Sequence, residues 1–385
     1  MIGLPLQIGP LRLSSNLMLA PIAGWCDLSW RVTCRAINAG NAGLGLASTD
    51  LLSPKGLLMG TETSRDLART SDLDRPVGMQ LYGSDPAILA EGARWCADRG
   101  AAVVDINMGC PVDKVCKKDG GSKLMCIPDT AVRIAAAVRA ALPESVPMTC
   151  KMRLGWTQAD ADRNAAGELA CRLIDAGAAL ITVHGRTTEQ HFKGHCSRLG
   201  IRRVVERVAA HTGPCTGPGT GIPVVANGDV RTADDAMDML RQTGAAGVMI
   251  GRGAFACPWV FTQAWEHQLA AVESRPPRDL EPSEDAKLDF ILAYFARLLE
   301  FRGQAKAIHV IGQKISWLGK TINGSHCRAL KDGVRSASTP DEVVAAVEAW
   351  RCRAHDRPSD PPEAIAGPEN HANSVPGVGS GLVHP

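Results

Sequence analysis

Val103-Val104-Asp105-Ile106-Asn107-Met108-Gly109-Cys110-Pro111 is the stretch whose reading decides the fold. A β-branched apolar run ends in a polar residue, a glycine, a thiol and a proline. Such runs are strands buried in parallel sheets, and the residues just past their C-terminal ends are where barrel enzymes keep their chemistry. The proline stops the ladder and fixes the loop that carries Cys110. Taken alone, Cys110 would be a small core residue, as most free cysteines are. The rest of the chain changes that reading.

On either side of this stretch one unit repeats. Leu17–Ala20, Gly43–Ala47, Val77–Leu81, Ala102–Ile106, Pro147–Met152, Leu180–Val183, Ile222–Ala226 and Gly247–Ile250 read as eight strands. Helical patterns lie between most of them. They include 128–142, with proline at its start, 164–175 ending at Gly177, and 232–241 ending near Gly244. Eight β-then-α units over about 250 residues give an α/β class and a TIM (β/α)8 barrel. Residues 2–13 read as a short hairpin around Gly9-Pro10, and 256–272 as the closing helix. The barrel and its hairpin thus span 1–273, followed by a Pro- and charge-rich linker, 274–282. A small helical bundle, 283–355, follows, with Ser283 and Thr339 as helix caps. From 356 to 385, Pro, Gly, Ser and Asn dominate without periodicity, which predicts a disordered tail.

Composition narrows the class of protein. Hydrophobic residues make up 45% and charged residues 21% of the 385, a soluble globular balance. No apolar run is long enough for a membrane span, and the N-terminus lacks the layout of a signal peptide. Thirteen cysteines without paired spacing predict reduced thiols in a cytoplasmic protein, expected to be a monomer. Cys110, Cys116 and Cys126 lack the close pairs of zinc or iron–sulfur sites, so no metal is expected.

The strand ends form one constellation. Asn227-Gly228-Asp229 and Gly251-Arg252-Gly253 end the seventh and eighth strands, where barrels bind phosphate through backbone amides. Glycine lets the backbone approach, and Arg252 can grip a phosphate. Gln80, Lys151 and His184 end strands three, five and six, outlining a flat phosphorylated cofactor across the mouth. A lysine beside such a ring can stabilise charge that accumulates on reduction. Within the helical unit, from Arg302 to Arg335, seven basic residues (Arg302, Lys306, Lys314, Lys320, Arg328, Lys331, Arg335) stand against one acid, Asp332. A basic surface of this kind suits an RNA backbone, and an ordinary solvated face is the alternative.

These residues resemble the tRNA-dihydrouridine synthase family of FMN enzymes, most closely its bacterial B-type branch. The matching stretches are Ala20-Pro21-Ile22-Ala23-Gly24, Gln80-Leu81-Tyr82-Gly83, Asp105 to Pro111, Lys151-Met152-Arg153-Leu154-Gly155-Trp156, His184-Gly185-Arg186-Thr187, Asn227-Gly228-Asp229 and Gly251-Arg252. The resemblance implies that NADPH reduces FMN and that hydride then passes to C6 of a uracil in tRNA. It makes Cys110 the proton donor to C5. It places Pro21, Ile22, Ala23, Gln80, Lys151, His184, Asn227, Gly228, Asp229, Gly251 and Arg252 on FMN. Asn107 and Phe192 would meet the base, and Lys306, Lys314, Lys320 and Lys331 the tRNA backbone. An FMN barrel acting on a free pyrimidine, and a tRNA-binding barrel without catalysis, are the rival readings. The chain departs from the family pattern at Ser48-Thr49-Asp50, Cys116, Lys123 and Gly312-Gln313-Lys314.

Overall fold

The structure, a computed structural model, describes residues 2–38, 43–116, 120–217 and 219–355. The expected tail, 356–385, lies outside them. A hairpin pairs β1 (Gln7–Ile8) with β2 (Leu11–Arg12). Eight parallel strands then close a barrel: β3 (Leu17–Leu19), β4 (Leu46–Leu52), β5 (Val77–Leu81), β6 (Val103–Met108), β7 (Met148–Arg153), β8 (Ile181–His184), β9 (Val224–Asn227) and β10 (Gly247–Ile250). They follow chain order, with β10 against β3. The expected TIM barrel is therefore the fold.

Strand β4 differs most from its expected bounds. It starts later and runs through Ser48-Thr49-Asp50, with an irregular register between Ser48 and Leu51. Thr49 and Asp50 are buried, so this departure from the family pattern is a core feature and not a loop. The hairpin packs Leu6, Ile8 and Leu13 with Leu46, Val103 and Leu180 at the strand starts, plugging the end opposite the strand termini.

The expected closing helix, 256–272, begins only at Val260 and runs to Val272, and a break separates it from a short piece that precedes it, Arg252–Ala256. Pro258 lies at the break, where it offers no backbone donor to continue the first piece. Beyond it the linker is pinned: buried Glu266 pairs with Arg275 and, at 2.7 Å, with Arg278.

Helices Glu284–Arg302, Gln304–Leu318, Arg328–Ser336 and Pro340–His355 follow, up to the end of the described residues. The first packs on the barrel helix Leu28–Ile37, and an aromatic seam joins them. Trp30 meets Phe290 and Tyr294 edge-on at 5.5 and 5.3 Å, and Trp25 meets Trp317 at 5.9 Å. No described helix is long and apolar enough to cross a membrane.

Candidate active site

Side chains alternate across a strand, so polar residues two apart share the inner face of an otherwise apolar strand. Asp105 and Asn107 on β6, and Thr149, Lys151 and Arg153 on β7, follow that parity. Pairing sets Gln80 against Asp105, Asp105 against Thr149, and Asn107 against Lys151. Asp105 accepts from Gln80 Nε2 and from Thr149 Oγ1, each at 2.6 Å. Asn107 Nδ2 donates to Gln80 Oε1 at 2.8 Å, while its Oδ1 accepts from the Gly109 and Cys110 N–H groups. The Asn107 acceptor is thus spent on the loop, which leaves one N–H for a ligand.

Cys110 is half-buried just beyond β6. Its carbonyl accepts from Ser122 N–H at 3.0 Å and from the Cys116 thiol at 3.3 Å, which ties the loop down. Burial pushes the Cys110 thiol above its ordinary value, and the Val112 N–H works against the rise. Arg153, fully buried, holds the loop from the other side. Its Nε donates to Gly109 O at 2.8 Å, and its Nη1 donates to Thr187 O and His191 O. The half-exposed ring of Phe192 lies 5.5 Å from the Arg153 guanidinium and 5.6 Å from that of Arg252.

The Lys151 ammonium makes no hydrogen bond or ion pair among the described residues. Burial lowers its pKa to about 8, Arg153 adds to the fall, and Asp105 opposes it. His184 is held well below its ordinary value by burial and then by Lys151, Arg153, Arg186 and Arg252. It is therefore neutral. Arg186 Nη1 lies 3.3 Å from His184 Nε2 and can only donate, which assigns the ring proton to Nδ1.

The corner at the ends of β9 and β10 is built for close approach. Gly228 has φ 126°, and a Cβ there would stand 2.7 Å from Cys196 Sγ. A Cβ on Gly251 would press on Ile22 at 3.0 Å, so the Pro21-Ile22-Ala23 loop sits directly beside this corner. Asn227 differs from a pure cofactor ligand, because its Nδ2 donates to Met249 O at 2.7 Å. Asp229 differs too. Its carboxylate accepts twice from Arg186, at 2.7 and 2.9 Å, and once from Cys196 N–H. The carboxylate thus holds Arg186 and stands 3.8 Å from Arg252. Arg153 and Arg186 were given no role by the family resemblance, although their inner-face parity is visible in the sequence.

The helical unit corrects one expectation outright. Lys314 is buried, and its ammonium donates to Asp27 Oδ2 and Tyr294 OH, each at 2.7 Å. It cannot reach an RNA phosphate. Arg302 and Lys306 both pair with Asp66, at 2.6 and 2.8 Å, which neutralises much of that end of the basic surface. Lys320 and Lys331 remain, and they join a row that starts on the barrel. Thr321 Oγ1 donates to Ala256 O at 3.2 Å, and this brings Lys320 beside the Arg252–Ala256 turn. Arg231 packs on Gly253, and the Lys331 stem lies over Gly319. Burial lowers the pKa of Lys320, and Arg231, Arg252 and Lys331 lower it further.

The comparisons with known proteins identify the family. The family model described as dihydrouridine synthase matches residues 18–352. The chain is 35% identical over 341 residues to tRNA-dihydrouridine synthase B of Xanthomonas axonopodis pv. citri, covering 88% of this chain and 94% of that one. It is 33% identical over 312 residues to the protein of the same name from Shewanella oneidensis, covering 81% and 88%. Among solved structures, a 2-naphthoyl-CoA reductase complex superposes with a TM-score of 0.51 at 12% identity, over 74% of this chain and 53% of that longer one. That likeness is one of fold alone. The family match over almost the whole chain and the B-type relatives together establish that this protein belongs to the dihydrouridine synthase family, in its B-type branch.

Proposed function

We propose that this enzyme reduces specific uridines of tRNA to 5,6-dihydrouridine, using FMN as cofactor and NADPH as the source of electrons. The observation that carries the reading is the convergence of Cys110, an unpaired Lys151 and the Gly228–Arg252 corner on one barrel mouth. The residues fit FMN: the Gly228 and Gly251 backbone and Arg252 would hold its phosphate, and Lys151 and the Nδ1–H of His184 would meet its ring. When bound, FMN supplies the hydride that adds to C6 of the uracil.

The chain supplies the rest. Cys110 Sγ–H gives its proton to C5, and a thiol pKa above the usual range keeps it protonated at neutral pH, the form a general acid needs. Lys151 remains charged below about pH 8 and stabilises negative charge at the mouth. Asn107 can donate its remaining N–H to a carbonyl of the base, and Phe192 offers it an apolar face. The base must leave its stack to arrive there. The row Arg252, Arg231, Lys320 and Lys331 supports tRNA as the partner. The thirteen cysteines are all free thiols, which supports action in the cytoplasm.

The purified protein is expected to be yellow, with about one FMN per chain, and to restore dihydrouridine to tRNA from a strain lacking its gene. A colourless protein that FMN cannot reconstitute would overturn the reading. Arg252→Ala is expected to weaken FMN retention by roughly 1.5–3 kcal/mol, the value of a charged hydrogen bond, as measured by flavin release on dialysis.

Neutralising Arg231, Lys320 and Lys331 together should weaken tRNA binding and flatten its salt dependence, by about 0.7–0.9 log units of slope for each phosphate no longer neutralised. Lys314→Gln should do nothing of this kind directly, since that ammonium is spent inside the protein. An unchanged slope in the triple variant would make the row a solvated face.

A further inference from the structure

Asp105 has no part in the chemistry above, yet it anchors a chain of hydrogen-bonded side chains that ends on the Cys110 loop. At the far end stand two backbone N–H groups, those of Gly109 and Cys110, which can only donate. They oblige Asn107 to present Oδ1, at 3.1 and 2.9 Å, and so to turn Nδ2 to Gln80. Gln80 must then give Oε1 to Asn107 and Nε2 to position 105. Whatever stands at 105 must accept, and an ionised carboxylate is an acceptor with nothing to flip. Asp105 takes that bond at 2.6 Å and another from Thr149 at 2.6 Å. Gln80, Thr149, Asn107 and Asp105 are all buried, so water cannot readily replace a missing partner.

We propose that Asp105 is a positioning residue for Cys110, fixing the thiol-bearing turn by fixing the orientation of the Gln80 and Asn107 amides. Its functional meaning rests on Cys110 as the proton donor, but the geometry is testable on the thiol itself. Without an acceptor at 105 the Gln80 amide turns over and the Asn107 amide follows. Asn107 N–H groups would then face the Gly109 and Cys110 N–H groups. The turn opens, and the half-buried thiol loses the burial that holds its pKa up, which outweighs loss of the Val112 N–H that opposes it.

The test is the rate at which iodoacetamide alkylates Cys110 in the full chain, resolved from the other cysteines by mass spectrometry. Flavin content and thermal unfolding are recorded alongside. Asp105→Leu keeps the volume but removes the acceptor, and should speed alkylation by roughly 10-fold or more, the effect of about one pKa unit of extra thiolate together with easier access. Asp105→Asn should stay close to wild type, because the Thr149 hydroxyl can reverse and accept while the new amide still accepts from Gln80. Gln80→Glu sets two carboxylates together and, above the pH at which they share a proton, should be as fast as Asp105→Leu. Combining Gln80→Glu with Asp105→Asn moves the carboxylate one place along the same chain, where it accepts from both neighbours, and should restore the rate. A packing role alone would make Asp105→Leu harmless and the swap no better than Gln80→Glu; either result overturns the proposal. The thiol pattern intact in a wild type that cannot reduce tRNA would support the positioning role and count against the proposed function instead.

Discussion

Cys110→Ala is expected to keep its fold, its FMN and the reduction of that FMN by NADPH, while reoxidation by tRNA slows about 10²–10⁴-fold, the value of a lost general acid. The half-buried side chain lies on a loop held by other groups: Ser122 N–H on its carbonyl, Asn107 Oδ1 on its amide and Arg153 on the carbonyl before it. Removing one sulfur therefore costs little structure. Cys110→Ser should recover little, because a hydroxyl is a far weaker acid than a thiol. Cys126→Ala is a silent control, since that thiol is exposed. Cys116→Ala should fall between, because its thiol donates to Cys110 O and lies 3.5 Å from Ser122 Oγ. Stopped-flow traces of flavin reduction and reoxidation separate the two halves. Wild-type reoxidation by Cys110→Ala would place the proton donor elsewhere.

Lys314→Met is expected to destabilise the protein by about 3–5 kcal/mol, the usual cost of leaving a buried charge without its partner. Asp27 caps helix Leu28–Ile37 through Trp30 N–H at 2.9 Å and receives Lys314 and Tyr294 OH on its other oxygen. Burial works to raise its carboxyl, but Lys314 and these hydrogen bonds outweigh it and hold the group below its ordinary 3.8. A depressed folded pKa stabilises above the unfolded value and is lost as pH falls through the folded one. The stability that this pair contributes should therefore be lost as pH falls through the lowered Asp27 pKa. In Lys314→Met the unpaired carboxyl should rise, so its penalty eases as pH is lowered towards that raised value. Asp27→Asn combined with Lys314→Met should recover much of the loss, because neutralising both partners removes the unpaired charge and asparagine still caps the helix. Urea unfolding of the wild type and both variants measures this. A single variant within about 1 kcal/mol of wild type, the range of exposed pairs, would contradict the buried bridge.

Much of this molecule was legible in the chain. β-branched runs ending in Gly, Asn and charged residues specify parallel strands whose termini share one mouth, because burial on both faces demands apolar runs and barrel closure gathers their ends. Two strands, Val77–Leu81 and Gly247–Ile250, fall on their expected residues. Cys110, Lys151, His184 and the glycine corner meet at that mouth as expected.

Pairing among charges was not legible, because it depends on residues far apart in sequence. Lys314 looks like one more basic residue in a basic stretch, yet it sits three residues after Ile311 and four before Leu318, on the buried stripe of its helix. That periodicity was a warning; its partner, Asp27, is 287 residues away and could not be read. Asp229 and Arg186 likewise belong to neighbouring strand ends and meet only when the barrel closes. Which residues point inward follows from the order of amino acids, since strand and helix periods are local. Which inward charges cancel, and which are left for a ligand as Lys151 is, follows only from closure of the fold, since a buried charge is set by whatever is brought beside it.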